Sequence, residues 1–172
     1  MNYIIEELSV DNAEDYARVN VLAWKQSYHG IINDVFLDLI NTEKYIQQTV
    51  EKLKKGINNP ANKAFLLKVN NTPVGILRVR KSKYLKYSDC GEIGAIYLLN
   101  SVKKQGFGKI LFKKAIEEIK AMGYTKMING CIEGNPSNDF YQHMGGKLIE
   151  KGSFAVPNGQ ELIENVYYYS KI

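Results

Sequence analysis

The segment Lys103-Lys104-Gln105-Gly106-Phe107-Gly108-Lys109 gathers three lysines and two glycines within one short turn. It stands between an apolar run, Ile93 to Leu99, that reads as a buried strand and an amphipathic stretch, Phe107 to Met122, that reads as a helix. A turn of this kind aims several backbone N–H groups, and the positive end of the helix, at a single anion. Glycine lets a phosphate approach the backbone with no Cβ in the way, and the lysines add charge. The chemistry indicated is pyrophosphate binding.

Two common phosphate motifs do not fit the spacing. A P-loop requires a hydroxyl residue after Gly-Lys, but Ile110 follows Gly108-Lys109, and the residue five before Gly108 is Lys103. A dinucleotide fingerprint requires a further glycine where Leu111 stands. A second segment, Asn135-Pro136-Ser137-Asn138-Asp139-Phe140-Tyr141-Gln142-His143-Met144-Gly145-Gly146, supplies an asparagine cap and a proline that specify a short helix start.

Together the two segments resemble the GNAT superfamily of N-acetyltransferases. Its coenzyme signature is Gln/Arg-x-x-Gly-x-Gly/Ala, and an Asn, a Phe-Tyr pair and a Gly-Gly or Gly-Phe follow later. Lys103 stands where the family has Gln or Arg, keeping the charge but losing the planar fork of arginine. The resemblance implies acetyl-CoA as co-substrate, with its pyrophosphate on Lys103, Lys104, Gln105, Gly106, Phe107, Gly108 and Lys109. It also implies that the strand end Ile96, Tyr97 and Leu98 pairs with the pantetheine arm, which Asn135 hydrogen-bonds. Tyr141 would return a proton to the departing thiolate, a task that suits a neutral phenol; the alternative is a core anchor beside Phe140. A backbone N–H of Ile96 or Leu98 would polarise the thioester carbonyl.

An acceptor amine must lose a proton before it attacks, and Glu92 matches the acidic position that many family members use as base. Asp89 is the fallback, and an ion pair with a neighbouring cation is the structural alternative for Glu92. The family builds its acceptor pocket from the first helix and the following loop, which here carry Trp24, Tyr28 and His29. Trp24 lies on the apolar stripe of that helix and reads first as core and second as pocket; Tyr28 and His29 read as pocket rim.

These residues must be positioned by a chain of 172 residues, which fits a single domain spanning 1–172. Ala17, Val21, Trp24 and Tyr28 recur at helical spacing within a predicted helix from Ala13 to Tyr28. A second helical region runs from Val35 to Leu53, broken near Asn41-Thr42. Strands are predicted at Tyr3 to Leu8, Ala64 to Val69, Pro73 to Val79, Cys90 to Leu99, Lys126 to Ile132, Lys147 to Phe154 and Leu162 to Ser170, with a short helix from Pro136 to His143. Arg80 to Ser88 reads as an exposed hairpin end. The order predicts an α+β fold: a mixed, mostly antiparallel twisted sheet of about seven strands flanked by about four helices, with one parallel pair made by the crossover through Phe107 to Met122. The GNAT fold uses the same order.

The apolar fraction of 45% and charged fraction of 24% are ordinary for a globular protein. No apolar run approaches the roughly 18 residues of a membrane span, and the N-terminus carries no signal-peptide pattern. Cys90 and Cys131 read as buried free thiols of a cytoplasmic protein, with neither metal-ligand spacing nor a histidine partner. The net charge of +5 fits an anionic cofactor or a solvated surface; no nucleic-acid motif accompanies it. Tyr167-Tyr168-Tyr169 reads as a core strand or the edge of a homodimer. The expected function is direct transfer of acetyl from acetyl-CoA to a primary amine of a small molecule or peptide, with no acyl-enzyme and no metal. The second reading is a non-catalytic acyl-CoA-binding regulatory module.

Overall fold

Alternating burial and β-branched or aromatic residues draw seven segments into one sheet. The computed structural model of the protein describes residues 2–172. Its strands are β1 (Tyr3–Glu7), β2 (Asn62–Val69), β3 (Thr72–Lys81), β4 (Gly91–Leu98), β5 (Met127–Ile132), β6 (Lys147–Ala155) and β7 (Glu161–Tyr169). They lie in the order β1-β2-β3-β4-β5-β7-β6. Every neighbouring pair is antiparallel except β4 with β5. The helices are α1 (Ala13–Tyr28), α2 (Asp34–Ile40), α3 (Glu43–Gly56), α4 (Phe107–Ala121) and α5 (Ser137–His143). The second helical region is thus two helices, separated where the Asn41-Thr42 break was expected: the Thr42 hydroxyl accepts from the Tyr45 N–H and starts α3 afresh.

Helices cover both faces of the sheet. α4 buries Phe107, Leu111, Phe112, Ala115 and Ile119 against one face, and each large side chain removed from water contributes about 1.5–3 kcal/mol. α1, α2 and α3 cover the other through Ala13, Ala17, Val21, Tyr28, Leu37, Ile46 and Val50. None of the helices is long and apolar enough to cross a membrane.

The sheet is interrupted where it matters for function. β4 and β5 pair only at Gly91–Met127, Glu92–Ile128 and Ile93–Asn129. Beyond Ile93 the two parallel strands part. At the same point the β3–β4 register slips between Arg78 and Val79, so that Gly94 is an extra residue on β4. This bulge inverts the phase of the strand. Ahead of it the Gly91 N–H reaches the Lys126 carbonyl on the β5 side; after it the Leu99 N–H reaches Val74 on the β3 side. Alternation along β4 therefore turns the N–H groups of Ile96 and Leu98 away from β3 and into the gap.

Two further expectations have their outcome in the structure. Arg80 to Ser88 closes the antiparallel β3–β4 hairpin and is largely exposed, as expected, but it is structured: Arg80 pairs with Glu92, Lys83 and Tyr84 fold onto Glu164, and Leu85–Tyr87 forms a 3₁₀ turn. Of the two alternatives for the triple tyrosine, the core strand is observed: it lies on β7, between β5 and β6. Tyr167 and Tyr169 are buried, and Tyr168 packs on Tyr87.

Candidate active site

The turn before α4 is built for an anion. Gly106 caps the helix with φ near 89°, and Lys104 is also left-handed with φ near 62°. For lysine that conformation costs roughly 1 kcal/mol or more. Gly106 has no side chain to offer, and the first helical bond runs from the Ile110 N–H to the Gly106 carbonyl. The N–H groups of Phe107, Gly108 and Lys109 therefore begin the helix with no intrahelical acceptor. The first turn holds no acidic residue, so nothing opposes the positive helix end.

This turn opens onto a cavity of about 470 Å³ running along the split edge of β4. Lys103, Lys104, Gly106, Gly108 and Lys109 line it together with Ile96, Tyr97 and Leu98 of β4 and with Asn135 and Tyr141. Burial alone lowers the pKa of Lys103. Two expected cofactor residues turn their side chains elsewhere. Gln105 donates to the Ser101 carbonyl at 2.9 Å, and Phe107 is core, edge-on to Tyr3. Only their backbones belong to the turn. Pro136, Ser137 and Phe140, with Gln26 and Ser27 on the polar side of α1, complete the lining. Gln26 and Ser27 were not singled out within the first helix, because nothing in a helix stripe says what faces its polar side.

A second space, a cleft of only about 30 Å³, shares Ile96, Tyr97, Asn135, Ser137 and Tyr141 with the cavity and is also lined by Tyr28, Gly94, Ala95, Gly130 and Cys131, among others. Tyr141 borders both spaces. Tyr169 donates to the Tyr141 carbonyl at 3.2 Å and Tyr167 donates to Asn138 at 2.8 Å, whereas the Tyr141 hydroxyl has no protein partner among the described residues. Burial, together with Cys131 and neighbouring tyrosines, pushes its pKa well above that of a free phenol. It therefore keeps its proton throughout the neutral range.

The start of α5 is fixed by local hydrogen bonds. The Asn135 carboxamide oxygen accepts from the Ser137 N–H at 2.8 Å, and the Asn138 side chain donates to the carbonyls of Ile132 and Asn135. Asn138 also accepts from Asn165 and Tyr167 on β7, which anchors the helix carrying Tyr141. Gly146 lets the chain return under that helix: a Cβ there would lie 2.9 Å from the Tyr141 carbonyl and 2.7 Å from the Tyr169 hydroxyl. Gly146→Ala is accordingly expected to destabilise the fold by about 1–3 kcal/mol, through overpacking against backbone, measured as a lowered Tm.

The expected acceptor residues separate. Tyr28 is buried, lines the cleft and shares a 2.9 Å hydroxyl hydrogen bond with Tyr97. Trp24 packs edge-on against both rings and lines neither space. His29 is exposed, with Nδ1 2.8 Å from Asp34. Glu92 is 2% exposed and lines neither space: one oxygen accepts from Arg80 at 2.6 Å and the other from the Lys83 N–H at 2.7 Å. Its geometry is that of the ion-pair alternative, not of a base facing the cleft. Asp89 is exposed and paired with Lys126, whose hydrogen bond lowers its pKa.

Burial raises the Cys131 thiol to about 12, with Glu164 adding to the effect. Cys90 is raised to about 11, first by burial and then by Asp89. Neither thiol is a ready nucleophile near neutrality. Among the described residues no group of three or more His, Cys, Asp or Glu side chains is placed to hold a metal ion.

A split parallel pair, an uncapped basic helix start and a phenol without a protein partner among the described residues thus border one cavity. Residues 13–146 match the Acetyltransferase (GNAT) family, and the chain belongs to that family. A relative in Bacillus subtilis (strain 168), the uncharacterized N-acetyltransferase YuaI, is 27% identical over 155 residues, covering 88% of this chain and 84% of its own. Among solved structures, the PaiA N-acetyltransferase of Thermoplasma acidophilum, in complex with coenzyme A, shares the fold with a TM-score of 0.76 at 20% identity, over 98% of this chain and 100% of its own. The putative acetyltransferase yncA of Salmonella typhimurium, solved with acetyl-CoA, has a TM-score of 0.72 at 13% identity, over 98% and 94%.

Proposed function

We propose that the chain transfers the acetyl group of acetyl-CoA directly to a primary amine. The observation that carries this reading is a single cavity lined both by the start of α4 (Gly106, Gly108, Lys109) and by Tyr141. The two similar structures solved with coenzyme A or acetyl-CoA support the choice of cofactor. When bound, acetyl-CoA supplies an activated thioester. The free N–H groups at the start of α4, with Lys103, Lys104 and Lys109, hold its pyrophosphate. The gap-facing N–H groups of Ile96 and Leu98 hold the pantetheine arm and the thioester oxygen, and the Asn135 amide donates to the same arm. Tyr141 hands its proton to the leaving thiolate.

The narrow cleft favours a slim, unbranched amine at the point of reaction. The amine must shed its ammonium proton first, so the rate is expected to rise with pH through the acceptor's own titration. Tyr141, whose pKa is raised, adds no falling limb near neutrality. Cys131→Ala retains turnover on this account.

The reading is tested by thermal shift and thiol release together. Coenzyme A raises the Tm clearly and ADP only weakly, and acetyl-CoA releases free thiol faster when a primary amine is present. No Tm response to coenzyme A would overturn the cofactor assignment.

A further inference from the structure

Lys83 sits in a cage made for an alkylammonium ion. Its Nζ lies 3.0 and 3.1 Å from the two oxygens of Glu164. It is also 4.9 Å from the centroid of the Tyr84 ring and 5.7 Å from that of Phe154. A carboxylate with two aromatic rings, each within about 6 Å of the charge, is the combination that binds organic cations. The Tyr84 hydroxyl donates to Glu164 at 2.9 Å and fixes the carboxylate. Glu164 itself is 7% exposed.

The cage adjoins the cleft. A Cβ on Gly130, which lines the cleft, would lie 2.2 Å from a Glu164 oxygen and 2.5 Å from the Tyr84 hydroxyl. The absence of a side chain at position 130 is what brings the carboxylate up to the cleft wall. The neighbouring charges, Arg80 and Glu92, neutralise each other. Lys83 is tethered differently from a buried structural lysine. Its backbone N–H is held by Glu92, but its side chain is 38% exposed and free to swing into water on four methylenes.

We propose that the Glu164–Tyr84–Phe154 cage is the subsite for an alkylammonium group of the acceptor, and that Lys83 occupies it as an internal competitor until the acceptor displaces it. The proposal rests on the acetyltransferase reading for its biological role. The cage is a property of the chain alone, so its test does not need turnover. An occupied site reduces apparent affinity to the fraction of time it stands empty.

The experiment is a calorimetric titration of n-butylamine, as its ammonium salt, into the protein with and without saturating coenzyme A. Lys83→Met should tighten binding by about tenfold, as expected if Lys83 fills the cage about nine-tenths of the time. Lys83→Arg, which keeps a cation in place, should give no such gain. In the Lys83→Met background, Glu164→Gln should abolish the gain. Phe154→Leu should reduce it several-fold, a second check should the Gln variant lower the Tm. The neutral alcohol n-butanol should not bind. Unchanged amine affinity in Lys83→Met, or a gain that survives Glu164→Gln, would overturn the cage. Loss of the coenzyme A response alone would instead overturn the acetyltransferase reading.

Discussion

Tyr141→Phe is expected to lower turnover by about 10²–10⁴-fold, the range for removing a positioned general acid, while the affinity for coenzyme A stays within a few-fold of the parent. The expectation follows from what the phenol does and does not touch. Its ring is packed against Phe140 and Tyr167, and its backbone carbonyl accepts from Tyr169, so phenylalanine fills the same space with the same support. Only the hydroxyl is lost, and it has no protein partner among the described residues. The fold therefore has no hydrogen bond to lose, and the cost should fall on kcat. Steady-state thiol release and calorimetry on the same preparation separate the two effects. Equal turnover for the variant would remove Tyr141 from the chemistry.

Gly108→Val is expected to weaken coenzyme A binding by at least about 100-fold, corresponding to roughly 2.7 kcal/mol, with little effect on Tm. Gly108 lines the large cavity on the first turn of α4. A Cβ there would sit 3.5 Å from the Phe140 ring and 3.8 Å from Leu98, both ordinary contacts. Alanine is thus tolerated by the fold, and the added methyls of valine crowd the cavity and its free N–H groups. Gly106 is a poorer probe. Its φ near 89° makes any β-branched residue strained there, so Gly106→Val mixes loop distortion with blockage. Graded loss from Gly108→Ala to Gly108→Val, by calorimetry with coenzyme A, checks the assignment.

Much of this site was legible in the sequence because its signals are local. A glycine cap, a following amphipathic stripe and an Asn-Pro-Ser start each specify a short stretch of backbone. The structure puts α1, α4 and α5 within a residue or so of the expected limits. The asparagines at 70 and 71 mark the β2–β3 turn in the same way, both at positive φ. What could not be read was register. The slip at Gly94 and the parting of β4 from β5 after Ile93 depend on pairing between distant segments, and they decide which N–H groups face the gap.

Register also explains the acidic residues. Glu92 follows the family pattern in sequence, yet its position on β4 places it opposite Arg80 on β3, where the two charges satisfy each other. Glu164 gave no signal, lying in a strand with no motif around it. It lies against Gly130 of the cleft wall because β7 pairs with β5 and position 130 is glycine. Lys83 and Tyr84 read as part of a solvated basic run, since a lysine-rich loop looks the same whether or not it folds onto a carboxylate.

The second reading, an acyl-CoA-binding module without catalysis, shares every feature of the cavity except a use for the Tyr141 hydroxyl. The measurement that separates the two is product stoichiometry in an acetyl-CoA assay against a panel of unbranched primary amines, diamines and peptides with free amino groups. The account predicts amine-dependent release of one thiol for each N-acetylated product, lost on Tyr141→Phe. Tight coenzyme A binding with no acetylated product from any primary amine would contradict it.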